Sequence, residues 1–183
     1  MGVDPPEWIG IVGIGGLGSL GIQFAKALGY NVVAIDNRLE GRELAVETDL
    51  KADAVVNFND EDAAEQIRKT VGHGGLKAIM CTTDAGAAIT WSLGALRTKG
   101  TLVEIGLPVE HIKFDSFDLI FQEKKIVGSL VSTKEQAIEL LKVVDKFGIR
   151  SHITTVTLDE VPKLPELYMD PHLKGRLVMK IES

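Results

Sequence analysis

One cysteine, Cys81, occurs in 183 residues. Neither an intrachain disulfide nor a thiolate-rich structural zinc site can be built from it. Aromatic residues make up only 5% of the chain, and no apolar run reaches the roughly 20 residues that cross a bilayer. No membrane partner is expected. Basic residues fall short of acidic ones, 20 Lys and Arg against 26 Asp and Glu, for a formal net charge of -6. Phosphate backbones are bound largely by basic surface, so no nucleic-acid partner is expected either. The opening, "MGVDPPEW", lacks the charged-then-apolar pattern of a secretion signal, and the expected location is cytoplasmic.

What is present has the balance of a globular domain, 45% hydrophobic and 25% charged. The length suffices for one well-buried core and a short appendage. Short apolar runs at residues 8–13, 31–36, 54–58, 76–81, 101–105 and 125–131 are of the kind buried on both faces of a parallel sheet. Between them lie segments with helical spacing. Leu17, Leu20, Phe24 and Leu28 make the first, followed by 39–48, 62–70, 87–97 and 134–147. In the last, Ile138, Leu141 and Val144, or Leu140 and Val143, form the expected inward stripe. Strands alternating with helices imply right-handed crossovers and a doubly wound α/β fold: a parallel six-stranded sheet with helices on both faces, ending in a short tail.

The stretch "IGIVGIGGLGSLGIQFAKALGYNVVAID" carries the chemistry. Gly13, Gly15 and Gly18 form G-x-G-x-x-G where a strand ends and a helix begins, with Gly16 as a further small residue. The first permits the tight turn, the second lets the backbone approach a pyrophosphate, and the third lets helix and strand pack closely. Free N–H groups and the dipole at the helix start favour the phosphate charge. Glycine-rich turns also arise for packing alone; here the flanking strands stand where a Rossmann-type dinucleotide site needs them. The second strand ends in Asp36, which can accept hydrogen bonds from both adenosine ribose hydroxyls and would repel a 2′-phosphate, favouring NAD over NADP. Arg38 could hold such a phosphate or stack on adenine. Capping of the next helix, or plain solvation, is the structural alternative for Asp36.

The ordered set "GIVGIGGLGSLGIQFAKALG", "GTLVEIGLP" at 100–108, "KKIVGSLV" at 124–131 and "GRLVMKI" from Gly175 resembles the zinc-containing alcohol dehydrogenases of the medium-chain dehydrogenase/reductase superfamily. The resemblance covers nearly the whole chain. It implies cofactor contacts at the glycine turn, including Leu17, and at Asp36. It further implies contacts beside the nicotinamide at Thr82 and Thr83, in the turn Ile105, Gly106, Leu107 and Pro108, and through the backbone near Ser129 and Val131. Arg176 matches the late arginine that reaches the pyrophosphate.

The sequence departs from that family where the substrate is activated. The family's preceding catalytic domain, with its Cys ligands and Gly-His-Glu segment, has no counterpart here; the nearest approach is Gly72-His73-Gly74. His73, His111, His152 and His172 are scattered, without a spacing that pairs two on one helix face. Zinc, which in the family helps the alcohol lose its proton, is therefore expected only in a missing catalytic domain, which would also be the chain's partner. The expected division is a connector remnant at 1–7, a dinucleotide-binding domain at 8–150 and a tail at 151–183 that resembles the segment returning to the catalytic domain. Pro162, Pro165 and Pro171 interrupt the tail's helix. An apolar patch is expected where the other half would pack, and a homodimer through the sheet edge near 101–114 is implied. The expected function is an NAD(H)-binding part, inactive alone. Two alternatives stand beside it: a zinc-independent quinone or enoyl reductase, and an S-adenosylmethionine-dependent methyltransferase.

Overall fold

Alternate residues of a strand serve opposite faces of a sheet, so a strand covered on both sides must be apolar throughout. In the computed structural model, which describes residues 6–72 and 74–181, β1 (Trp8–Val12) and β2 (Asn31–Ile35) meet that demand. Ile9, Ile11, Val32 and Ala34 pack with Ile22 and Ala25 of α1 (Gly18–Ala27) and Leu44 of α2 (Leu39–Leu44). Val12, Val33 and Ile35 pack on the other face with Ile67 of α3 (Ala63–Val71) and Ile89 and Leu93 of α4 (Gly86–Ala95). Each such fully buried side chain stabilises the fold by about 1.5–3 kcal/mol.

With β3 (Ala54–Val56), β4 (Leu76–Cys81), β5 (Leu96–Glu104) and β6 (Lys125–Gly128) these strands form one parallel sheet of order β3-β2-β1-β4-β5-β6. The expected six-stranded doubly wound α/β fold is the one observed. The chain changes direction of winding between β1 and β4, which opens a crevice at their carboxyl ends.

The right side of the sheet differs from expectation. Residues 101–104 were expected at the sheet edge; instead they pair with β4 on one side and β6 on the other. The edge strand is β6, because the last crossover carries the chain outward past β5. β5 also starts earlier than expected, with a register shift after the Leu76–Leu96 pair and a left-handed Lys99. A short α5 (Ser116–Phe121), not anticipated, begins where Asp115 accepts the Phe117 N–H at 2.8 Å.

α6 (Lys134–Phe147) has the expected bounds, set by a capping box of Thr133 and Gln136 and a left-handed Gly148. Its inward stripe is a correction: Val143 and Val144 are half-buried, but Ile138, Leu140 and Leu141 are exposed. Nothing among the described residues covers them. They join Phe117, Ile120 and Phe121 of α5 and Leu130 and Val131 as an exposed apolar surface.

In the tail, β7 (Ile153–Val156) and β8 (Arg176–Met179) make a separate parallel pair. Pro162 lies inside a 3-10 turn (Leu158–Lys163); Pro165 stands in the first turn of α7 (Leu164–Tyr168), where its missing N–H costs no hydrogen bond. Most of the expected connector, residues 1–5, lies outside the described residues, as does His73. Glu7 is held by Arg97 at 2.8 Å. No helix among the described residues is long and apolar enough to cross a membrane.

Candidate functional site

Between Val12 and the start of α1 the chain turns within a few residues. Gly13 adopts a φ of +85°, and a Cβ on Gly18 would lie 2.0 Å from the Gly13 carbonyl oxygen. Only glycine permits that approach of helix to strand. The turn is tied down by the Gly13 N–H donating to Ile35 at 2.9 Å and by the Thr82 hydroxyl donating to the Gly13 carbonyl at 2.6 Å. The N–H groups of Gly15, Gly16 and Leu17 have no partner among the described residues. They point the positive end of α1 at the crevice, an arrangement that suits an anion.

The crevice holds about 650 Å³, within the span of about 300–1,000 Å³ common to ligand pockets. Gly13, Gly15, Gly16 and Leu17 line its floor, Asp36 and Arg38 one wall, and Thr82, Thr83, Ile105, Gly106 and Leu107 the other. Gly18 lies beneath as a packing residue. Two expected contacts fall elsewhere: Val131 is exposed, and Ser129 donates its N–H to Glu104 at 3.0 Å, extending the sheet ladder. Neither lines the crevice. Arg176, far away in sequence, does come to the turn, and a Cβ on Gly16 would sit 2.7 Å from its Cγ.

Asp36 is 5% exposed and already engaged. One carboxylate oxygen accepts the Ile14 N–H at 2.6 Å and the other the Arg38 N–H at 2.8 Å. A carboxylate has about four acceptor positions, so two remain, and the Arg38 guanidinium approaches them loosely at 3.3 and 3.4 Å. The acid thus organises the end of β2 and the turn as well as facing the crevice.

Phe58 and Tyr168 also line the space and were not anticipated. Phe58 stands just past β3 and packs edge-on against Trp91 at 5.3 Å; its place at a carboxyl strand end was the available signal. Tyr168 is delivered by α7, and no local pattern announces it. Cys81 is fully buried, and burial pushes its thiol up to about 11. It is no thiolate at neutral pH. Among the described residues no three His, Cys, Asp or Glu side chains are grouped to hold a metal ion, so the donor set there does not fit zinc.

Comparison with known proteins agrees in kind. The family model described as zinc-binding dehydrogenase matches residues 16–146. An alcohol dehydrogenase of Geobacillus stearothermophilus is 36% identical over 181 residues, 99% of this chain and 52% of the relative. The alcohol dehydrogenase of Aeropyrum pernix superposes with a TM-score of 0.87 at 26% identity, over 98% of this chain and 52% of that one. Acetophenone reductase of Geotrichum candidum, solved in complex with NAD, gives 0.84 at 24% identity, over 98% and 50%, a likeness of fold. The chain spans about half the length of the curated relatives it matches.

Proposed function

The chain belongs to the zinc-binding dehydrogenase family, and we propose that it binds NAD(H) and presents the nicotinamide for hydride transfer to or from an alcohol in an alcohol dehydrogenase-like enzyme. The observation that carries this is the pairing, across one crevice of ligand size, of unpartnered amide donors at the start of α1 with a buried acid at the end of β2. Those two features answer the two recognisable parts of the cofactor. The amides meet the pyrophosphate, and the two acceptor positions of Asp36 that the Arg38 guanidinium holds loosely pass to the ribose hydroxyls when it swings aside. The acid would repel a 2′-phosphate, and Arg38, the cation that would hold one, is drawn onto Asp36. NAD is therefore the preferred cofactor in this reading.

Thr83, Ile105, Gly106 and Leu107 form the wall toward which the nicotinamide would extend. Thr82 serves by holding the turn, since its proton is spent on Gly13. The described residues do not fit zinc, so activation of the alcohol is assigned to groups outside them. The unpaired edge of β6 supports pairing with a second copy, since an exposed edge offers backbone donors and acceptors.

Calorimetric titration with NADH and with NADPH at equal salt tests the reading. Saturable NADH binding with NADPH clearly weaker, and a gap that narrows in Asp36→Ala, is expected. Absence of binding for both, or tighter NADPH, overturns it.

A further inference from the structure

We propose that residues 150–176 form a strap that sets the Arg176 guanidinium over the glycine turn, with Gln23 and the acidic face of α2 as the positioning residues that hold it. The inference deepens the dinucleotide reading and rests on it.

The strap is clamped first at its root. Gln23, 3% exposed in α1, donates its amide to the Arg150 carbonyl at 2.8 Å and accepts the Arg150 N–H at 3.0 Å. A side-chain amide thus replaces a strand partner, and both bonds are needed because a buried polar group left alone is costly. Two residues on, the His152 carbonyl accepts the Arg176 N–H at 3.0 Å. Gln23, Arg150, His152 and Arg176 are thereby linked from the helix behind the turn to the side chain above it. The Arg176 guanidinium has no hydrogen bond or ion pair among the described residues. A cation held at a turn of unpartnered amides, and itself unpaired, is placed to meet a phosphate.

The second anchorage is electrostatic. Glu40, Glu43 and Glu47 follow one another at helical spacing along α2 and the turn that continues it. The tail answers each: His172 meets Glu40 at 2.6 Å, His152 meets Glu47 at 2.6 Å, and Lys174 meets Glu43. His172 is faced by Glu40 and by Asp170 of its own turn, with Arg38 beyond Glu40. His152 is faced by Glu47, with Arg150 preceding it, and Lys174 by all three glutamates. Glu40 raises the His172 pKa above the ordinary imidazole value, and His172 lowers that of Glu40. A raised imidazole pKa means the pin is strongest below about pH 6.5 and is lost as pH rises through the raised value. One of the three pins, His172 on Glu40, therefore weakens between mildly acid and mildly alkaline pH, and dinucleotide affinity should weaken with it.

The test titrates NADH into the chain from about pH 5.5 to about pH 8, comparing wild type with Glu40→Gln, Arg176→Ala and Arg176→Lys. Wild-type affinity is expected to fall about two- to fivefold across the range, the worth of one exposed pair. Glu40→Gln should bind at all pH values as wild type does at the alkaline end. Arg176→Ala should be weaker throughout and flat, whereas Arg176→Lys should keep the slope. A flat wild type, or an unchanged slope in Glu40→Gln, overturns the strap. Amide hydrogen exchange at Arg176, corrected for intrinsic rates, reads the strap without any ligand. Protection greater at acid pH in wild type and pH-independent in Glu40→Gln is expected. If NADH fails to bind at any pH while exchange behaves so, the dinucleotide reading has failed and the strap stands as a structural device; equal exchange in both proteins overturns the strap itself.

Discussion

α1 and α6 are both amphipathic helices joined to strands of the same sheet, yet α1 buries Ser19, Ile22, Gln23 and Ala25 while α6 buries nothing fully. The same contrast holds for strands: Val32 to Ile35 of β2 are inaccessible, whereas every residue of β6 is exposed. Amphipathic spacing specifies which face of an element wants cover. It does not supply the cover. The left of the sheet satisfies its pattern within the chain, and the right offers an apolar surface built from α5, β6 and α6 that the described residues leave open.

Substitutions on the two sides should separate them widely. Ile79→Ala, in the covered centre of β4, is expected to cost about 2–5 kcal/mol in urea unfolding; Leu141→Ala on α6 should stay within about 0.5 kcal/mol. A large loss at Leu141 would show that the right side is covered after all. Asp36→Ala, which strands the Ile14 and Arg38 N–H groups, should cost about 1–3 kcal/mol in addition to its effect on NADH. Leu130→Glu with Val131→Lys should leave the melting temperature nearly unchanged and reduce self-association in light scattering. The smallest effect belongs to the tail: His172 should titrate above the ordinary imidazole value by NMR and return toward it in Glu40→Gln.

The glycine turn and Asp36 were legible because their meaning is local. A strand, a tight turn, a helix and a second strand ending in an acid lie within one contiguous stretch, and each residue's role follows from its neighbours. Thr82 and Thr83 were legible as residues at a strand end, but not that the Thr82 hydroxyl would hold the Gly13 carbonyl. Phe58 could have been found from its place after β3, and Tyr168 could not. The sheet edge was misplaced for a related reason. Apolar runs reveal that a strand exists, while its rank in the sheet depends on the path of the crossover that follows it.

Local pattern alone accounts for the α/β class, the six strands of the main sheet, the bounds of α6 and the glycine turn, since each depends on steric and hydrogen-bonding preferences that act over a few residues. The position of Arg176 over Gly16, the clamp of Gln23 on Arg150 and the exposure of the α6 stripe emerge only on folding. They join residues remote in sequence, and which remote groups meet is settled by how the whole sheet and its helices pack.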